Sequence, residues 1–264
     1  MEKLKVGICG WGNVATGLFK ALEKNADIIA LNAGTKFTVS VIGARRDNPQ
    51  CDPGNTPIER DIFDVTKHDI DVLVELIGGV EVARELIIEA IKNKKHVVTA
   101  NKAVIYHHGD EIFKLAKENN VRVLFESAVC AGTPIIKLLK EELAANRVSK
   151  ISGMLNGTSN FILSNMEEGA EFHSTLELAQ KEGYAEPDPT FDIEGMDAAH
   201  KIGILSALAF GTSLPPKDFY VEGITKIEKS DFTYAMDMGY TVKHLAVAKV
   251  DENLLELRAH PALI

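Results

Sequence analysis

An α/β fold with a mostly parallel sheet is predicted from three observations. Apolar strands alternate with amphipathic helices through the first half of the chain. The first strand runs straight into a glycine-rich turn and then a helix. After Thr133-Pro134 the texture changes, with helices clustered ahead of two long closing strands. The division predicted is a doubly wound domain over 1–132 and an α+β domain over 133–264, with a soft boundary near Gly132 and no low-complexity linker.

The elements follow from their periodicities. Leu4 to Cys9 is apolar apart from Lys5, the pattern of a buried parallel strand. GWGNVATG turns the chain into LFKALEKN, which has helical spacing. Thr38 to Ala44 and Val72 to Leu76 are further apolar strands. Val82 to Lys92 is an amphipathic helix, and His96 to Thr99 a short strand. Glu111 to Glu118 reads as a helix and Val121 to Phe125 as a strand. Beyond Pro134, a favoured first-turn residue, Ile135 to Ala145 reads as a helix. Ile151 to Leu155 is a strand, Phe161 to Glu168 and Leu176 to Glu182 are helices, and an apolar helix runs through DAAHKIGILSALAFG. Val242 to Val250 and Leu254 to His260 close the chain as strands.

Composition narrows the function. The 264 residues are 45% hydrophobic and 25% charged, with a net charge of −9, and opposite charges are interspersed. That excludes the broad basic face a nucleic-acid binder needs. Three widely spaced cysteines, Cys9, Cys51 and Cys130, form neither a disulfide framework nor a zinc knuckle. The longest apolar run, Ile202 to Phe210, is too short to span a bilayer. The N-terminus has no signal-peptide core, so a reducing cytoplasm is the expected location.

Gly10 and Gly12 sit between strand and helix, with Ala15 and Gly17 downstream. Such glycines let the backbone approach a pyrophosphate, and the helix N-terminus offers its amides to the charge. This predicts a Rossmann-like dinucleotide site, with Gly10, Gly12, Asn13 and Val14 at the turn. The second strand ends in Gly43-Ala44-Arg45-Arg46-Asp47. Arg45 and Arg46 favour the 2′-phosphate of NADP. Asp47 keeps NAD open, and the alternative is that the arginines merely solvate the loop.

The densest chemical signal is GYAEPDPTFDIEGMDAAHK, Gly183 to Lys201. It packs Glu186, Asp188, Asp192, Glu194 and Asp197 ahead of Lys201. Asp197 and Lys201 stand four residues apart on one helical face. A surface salt bridge and a cation-binding site holding a lysine both satisfy that spacing.

ELIGG (75–79), HVVTANKA (96–103), FESAVCAGTPIIK (125–137), NGTSNFIL (156–163) and GYAEPDPTFDIEGMDAAHK (183–201) occur in this order. Together they resemble homoserine dehydrogenase of the monofunctional type, over almost the whole chain. The resemblance implies interconversion of L-aspartate-4-semialdehyde and L-homoserine with NADPH or NADH, in threonine, methionine and isoleucine biosynthesis. It implies Lys201 as acid/base, and Lys102 as a second lysine near the reacting carbon and the nicotinamide. Glu186 and Asp197 become substrate ligands, Asp192 a pocket carboxylate, and Gly183 a residue near the nicotinamide. Asn156 to Thr158 becomes a loop beside the substrate. Glu126, with the carbonyls of Val129, Ala131 and Thr133, becomes a monovalent-cation site, usually sodium. The second domain then serves substrate binding and dimerisation, and a homodimer or higher homo-oligomer is implied.

Plainer roles compete with some of these. Lys102 next to Asn101 also reads as a solvated loop residue, and Glu126 as a cap for the helix near Pro134. His200 lies about 100° around the helix from Lys201 and is left out of the chemistry. The family also continues past the position of Ile264 through a segment returning to the nucleotide domain, so the resemblance implies incomplete cofactor enclosure here. Two rival classes remain: a catalytically silent dinucleotide sensor, and another semialdehyde reductase. A phosphorylating semialdehyde dehydrogenase would need a cysteine nucleophile in a suitable motif, which is not evident.

Overall fold

The computed structural model describes residues 3–252 and 254–264. They form two units, meeting in sequence after Ile135.

In the first unit, β1 (Lys3–Cys9), β2 (Lys36–Gly43), β3 (Ile58–Glu59), β4 (Val72–Glu75), β5 (His96–Thr99) and β6 (Val123–Leu124) form one sheet in the order β3-β2-β1-β4-β5-β6. Every pairing is parallel. This is the order of a doubly wound dinucleotide-binding sheet. The helices are α1 (Asn13–Lys24), α2 (Ala26–Ala33), α3 (Glu81–Lys92) and α4 (Lys102–Glu118). Ile8, Val74, Trp11 and Phe19 share one core cluster beside the glycine turn, with Trp11 edge-on to Phe19 at 5.3 Å.

The second unit opens within α5 (Ile135–Lys137), which continues through a π-helical turn over Leu138–Glu142. Then come β7 (Lys150–Gly153), α6 (Gly157–Glu167), α7 (Phe172–Lys181), α8 (Thr190–Ile193), α9 (Met196–Phe210), β8 (Tyr220–Val221), α10 (Lys229–Asp237), β9 (Val242–Asp251) and β10 (Leu254–Leu263). The sheet order is β7-β9-β10-β8. β9 is antiparallel to β7 and β10, and β10 is parallel to β8. Nine residues of α9 are buried, which is why its sequence is apolar around most of its circumference.

Several elements differ from the sequence pattern. α4 begins at Lys102, nine residues before the helix predicted at Glu111. After Lys102 and Ala103, its first turns run through VIYHHG, β-branched, aromatic, histidine and glycine residues with weak helix propensity. Burial of Val104, Ile105 and Gly109, together with the Asn101 cap, overrides that weakness. Lys102 is therefore a helix residue and not a loop residue. α2 carries no amphipathic signal, since Ile28 and Leu31 face solvent, and the pattern passed over it. The strand predicted from Val121 to Phe125 pairs only over Val123–Leu124. The helix predicted to Ala145 stops at Glu142. α8, α10, β3 and β8 are too short or too weakly patterned to have been expected.

Candidate functional site

The glycine turn in the first unit has two glycines with different physical duties. Gly10 has φ +98, and a Cβ there would lie 2.4 Å from the Leu76 carbonyl oxygen. Chain packing therefore requires glycine at that position. Gly12 has an ordinary φ of −94, and a Cβ there would meet nothing within 4 Å. The protein's own packing gives no reason for its missing side chain. Close approach of a ligand to that backbone does. Gly12 is also the N-cap of α1, makes no side-chain cap, and the first turn carries no acid. This is the state in which helix amides can receive an anion.

A cleft of about 660 Å³ runs along this turn. Gly10, Gly12 and Asn13 line one part, and Arg45, Arg46 and Asp47 another. Arg45 and Arg46 are exposed. Arg60, which sequence reasoning missed, organises their loop. Its Nη1 donates to Ala44 O at 3.2 Å and its Nη2 to Asp47 Oδ1 at 2.6 Å. Asn48 Nδ2 ties the same loop to Trp11 O at 3.0 Å and Thr16 Oγ1 at 2.9 Å. Trp11 Nε1 is buried without a hydrogen-bond partner among the described residues.

Lys102 is the first residue of α4, half-buried, directly after the cap Asn101. Glu126 opens a 3-10 turn, Glu126–Ala128. The Val129–Thr133 loop follows, in which Thr133 N donates to Cys130 O at 2.8 Å and Ile135 N to Thr133 O at 2.8 Å. Burial, and then the neighbouring Glu75 charge, push the Cys9 thiol up to about 12. Cys9 therefore stays a protonated packing residue.

In the second unit the acidic segment divides into inward and outward members. Lys201 Nζ lies 2.6 Å from Leu155 O and 2.7 Å from Asp197 Oδ2. The Lys201 side chain is 18% exposed and that of Asp197 9%. This rules out the plain surface salt bridge that the spacing had left open. Asn156 Nδ2 donates to Asp192 Oδ1 at 2.7 Å and Asp197 Oδ2 at 2.9 Å. Its Oδ1 meanwhile caps α6 through Ser159 N at 2.7 Å. Thr158 Oγ1 lies 2.8 Å from Tyr184 O and 3.3 Å from Asp192 Oδ2. Lys201, Asp197, Asn156, Asp192 and Thr158 thus form one connected polar set on α6, α8 and α9.

The other carboxylates do not join that set of bonds. Asp188 caps Thr190 N at 3.1 Å, and Glu194 accepts from Thr225 Oγ1 at 3.1 Å. Glu186 is exposed, and its backbone carbonyl accepts from Gln180 Nε2 at 3.1 Å. Gly183 ends α7 in the left-handed conformation, φ +80. His200 is buried against the edge of Phe191 at 5.1 Å. The bridging role of Asn156 had one sequence signal, an N-cap asparagine ahead of an apolar helix.

Beneath the turn into α9 lies His244, buried, with Nε2 2.8 Å from Glu222 O. A carbonyl accepts, so Nε2 carries the proton. Nδ1 has no partner among the described residues. Burial above all holds His244 below the ordinary value of 6.5. A depressed histidine stays neutral when folded while the unfolded chain takes up the proton. Its contribution is complete above pH 6.5 and is lost as pH falls below that value. We expect His244→Gln to flatten the dependence of stability on pH in that window. Denaturant titrations at about pH 8 and about pH 5 check this, and an unchanged slope refutes it.

Fold and site define a doubly wound dinucleotide-binding unit followed by an α+β unit that carries a lysine–carboxylate cluster. A homoserine dehydrogenase family model matches residues 134–264, and the NAD-binding-domain model of homoserine dehydrogenase matches residues 10–126. The homoserine dehydrogenase of Pseudomonas aeruginosa is 54% identical over the whole chain, which spans 61% of that protein. The crystal structure of a homoserine dehydrogenase from Thiobacillus denitrificans matches 99% of this chain and 62% of its own, with 48% identity and a TM-score of 0.94. A hyperthermophilic archaeal homoserine dehydrogenase in complex with NADPH matches with 28% identity and a TM-score of 0.80, over 99% of this chain and 82% of that one. The chain belongs to the homoserine dehydrogenase family.

Proposed function

We propose that this protein interconverts L-aspartate-4-semialdehyde and L-homoserine with NADPH, as a step in threonine, methionine and isoleucine biosynthesis in the cytoplasm. The observation that carries this reading is Lys201, mostly buried and held by Leu155 O and Asp197. Aldehyde reduction builds negative charge on oxygen, and an oriented ammonium stabilises and protonates it. Asp197 and Leu155 O fix the Lys201 amine, while Asn156, whose amide is shared with Asp192, fixes Asp197 in turn. The substrate is itself an amino acid, so its ammonium needs carboxylates. Glu186 and Asp197 supply them, with Asp192 lining the pocket.

The dinucleotide, when bound, supplies or accepts the hydride. Gly10, Gly12, Asn13 and Val14 hold its pyrophosphate, and Lys102 serves its reactive end. The open space at Gly12 and the uncapped amides of α1 fit such a ligand. A silent sensor would have no use for the buried Lys201 set. The decisive assay follows NADP reduction with L-homoserine. Absence of turnover that requires this amino alcohol would overturn the reading.

NADP is assigned over NAD on Arg45 and Arg46, with Asp47 already engaged by Arg60. The archaeal relative bound to NADPH supports the assignment. Alanine at both arginines is expected to weaken NADPH by about 1.5–3 kcal/mol, the worth of a charged hydrogen bond, and NADH far less. Equal losses would show that the arginines do not read the 2′-phosphate.

Glu126 and the carbonyls of Val129, Ala131 and Thr133 are, in this proposal, the all-oxygen donors for a hard cation such as sodium. Its role in the proposal is to stiffen the loop. Glu126→Gln should then lower turnover and weaken its dependence on sodium, while Lys102 and Lys201 remain in place. A variant with unchanged activity and unchanged response to sodium would remove the site. A homodimer or higher homo-oligomer completes the proposal, to be checked by light scattering.

A further inference from the structure

Glu75 is fully buried at the end of β4. In the sheet it pairs with Cys9 of β1 on one side and Thr99 of β5 on the other. An apolar residue would fill that position at no desolvation cost, whereas a buried carboxylate is expensive unless its oxygens are bonded. Both oxygens accept. Oε1 takes Ile77 N at 2.9 Å and Oε2 takes the Thr99 hydroxyl at 2.6 Å. With its proton given to Glu75, Thr99 Oγ1 accepts from Asn101 N at 2.9 Å. Asn101 then reaches in two directions. Its Nδ2 donates to Gly79 O at 2.6 Å, and its Oδ1 caps α4 at Val104 N, 3.2 Å away.

These bonds close a circuit: Glu75, Ile77, the chain to Gly79, Asn101, Thr99 and back to Glu75. The loop it encloses carries Gly78 and Gly79, both at φ +73 with open space around them. Such a segment has little packing to fix it. Yet Leu76 and Ile77 line the nucleotide cleft, and Leu76 O abuts Gly10. The residue after Asn101 is Lys102.

We propose that Glu75 is a positioning residue that, through Thr99 and Asn101, fixes both the Leu76–Gly79 wall of the nucleotide cleft and the helix start that presents Lys102. The consequence for catalysis rests on the reading of Lys102 given above. The mechanical part stands independently of it.

Thr99→Val keeps shape and removes the hydroxyl through which the circuit passes. In the cofactor-free protein, amide exchange at 76–79 and 101–104 is expected to rise about tenfold, the equivalent of about 1.4 kcal/mol, without a comparable rise in the rest of the first unit. Glu75→Leu, which stays buried and removes both acceptors, should do the same at 76–79, because Ile77 N and the Thr99 hydroxyl then lose their partner. Asn101→Asp keeps the cap acceptor and loses the donor to Gly79 O, so it should loosen 76–79 even if a buried variant folds poorly. Thr99→Ser should restore exchange. Turnover is expected to fall about tenfold in Thr99→Val and to recover in Thr99→Ser. Unchanged exchange at both segments, or a uniform rise across the first unit, would overturn the proposal. Lys102→Met separates the two claims: if it turns over normally, the role given to Lys102 falls, while the exchange pattern still decides the role of Glu75.

Discussion

Lys201→Ala is expected to reduce turnover by roughly 10²–10⁴-fold, the usual contribution of a positioned acid/base, and to leave NADPH binding nearly unchanged. The amine is held 2.6 Å from Leu155 O and 2.7 Å from Asp197 Oδ2, so it has little freedom to be replaced by a neighbour or by water. Its removal also leaves Asp197 without its cation. Asn156 still donates to Asp197, so the second unit should fold with a modest loss of stability. Steady-state kinetics with L-homoserine and fluorescence titration with NADPH measure the two effects. A variant that keeps near-normal turnover would reduce Lys201 to a structural ion pair and remove the proposed chemistry.

The other large effect separates the two glycines of the turn. Gly10→Ala forces a methyl to 2.4 Å from a backbone carbonyl at a residue with φ +98. Overpacking and left-handed strain together cost about 2–5 kcal/mol, a large share of the stability of an ordinary domain. The first unit should unfold at markedly lower denaturant, and dinucleotide binding should go with it. Gly12→Ala meets no protein atom within 4 Å, so its melting should stay close to that of the parent. In the proposed site its methyl would stand where the pyrophosphate approaches, and affinity should drop about tenfold or more, at about 1.4 kcal/mol per tenfold. Thermal melts paired with NADPH titrations check both. If Gly12→Ala binds NADPH as the parent does, the turn does not hold the pyrophosphate.

Much of this molecule was legible before any coordinates. The strand, glycine turn and helix at the N-terminus share periodicities and turn chemistry that few folds satisfy, because local sterics dictate them. The Asp197–Lys201 spacing was equally plain, since a helix places residues four apart on one face. Less legible were elements whose stability comes from elsewhere. Val104 to Gly109 in the first turns of α4 are poor helix formers, held by burial and the Asn101 cap. α2 lacks an apolar stripe to read.

The sequence by itself determined the alternation of elements, the place of the glycine turn and the identity of the charged residues available for chemistry, because those depend on neighbours in the chain. Tertiary structure decided which of five carboxylates turn inward. Asp192 and Asp197 converge on Asn156, the cap residue ahead of α6, while Asp188 and Glu194 are spent on local caps and loops. It also decided that Glu75, one acid in an apolar strand, should be buried and bonded to Thr99 and Ile77. Residues 24 and 36 positions apart meet only when strands and helices pack, and the cost of burying a polar group then selects the few arrangements in which each finds a partner.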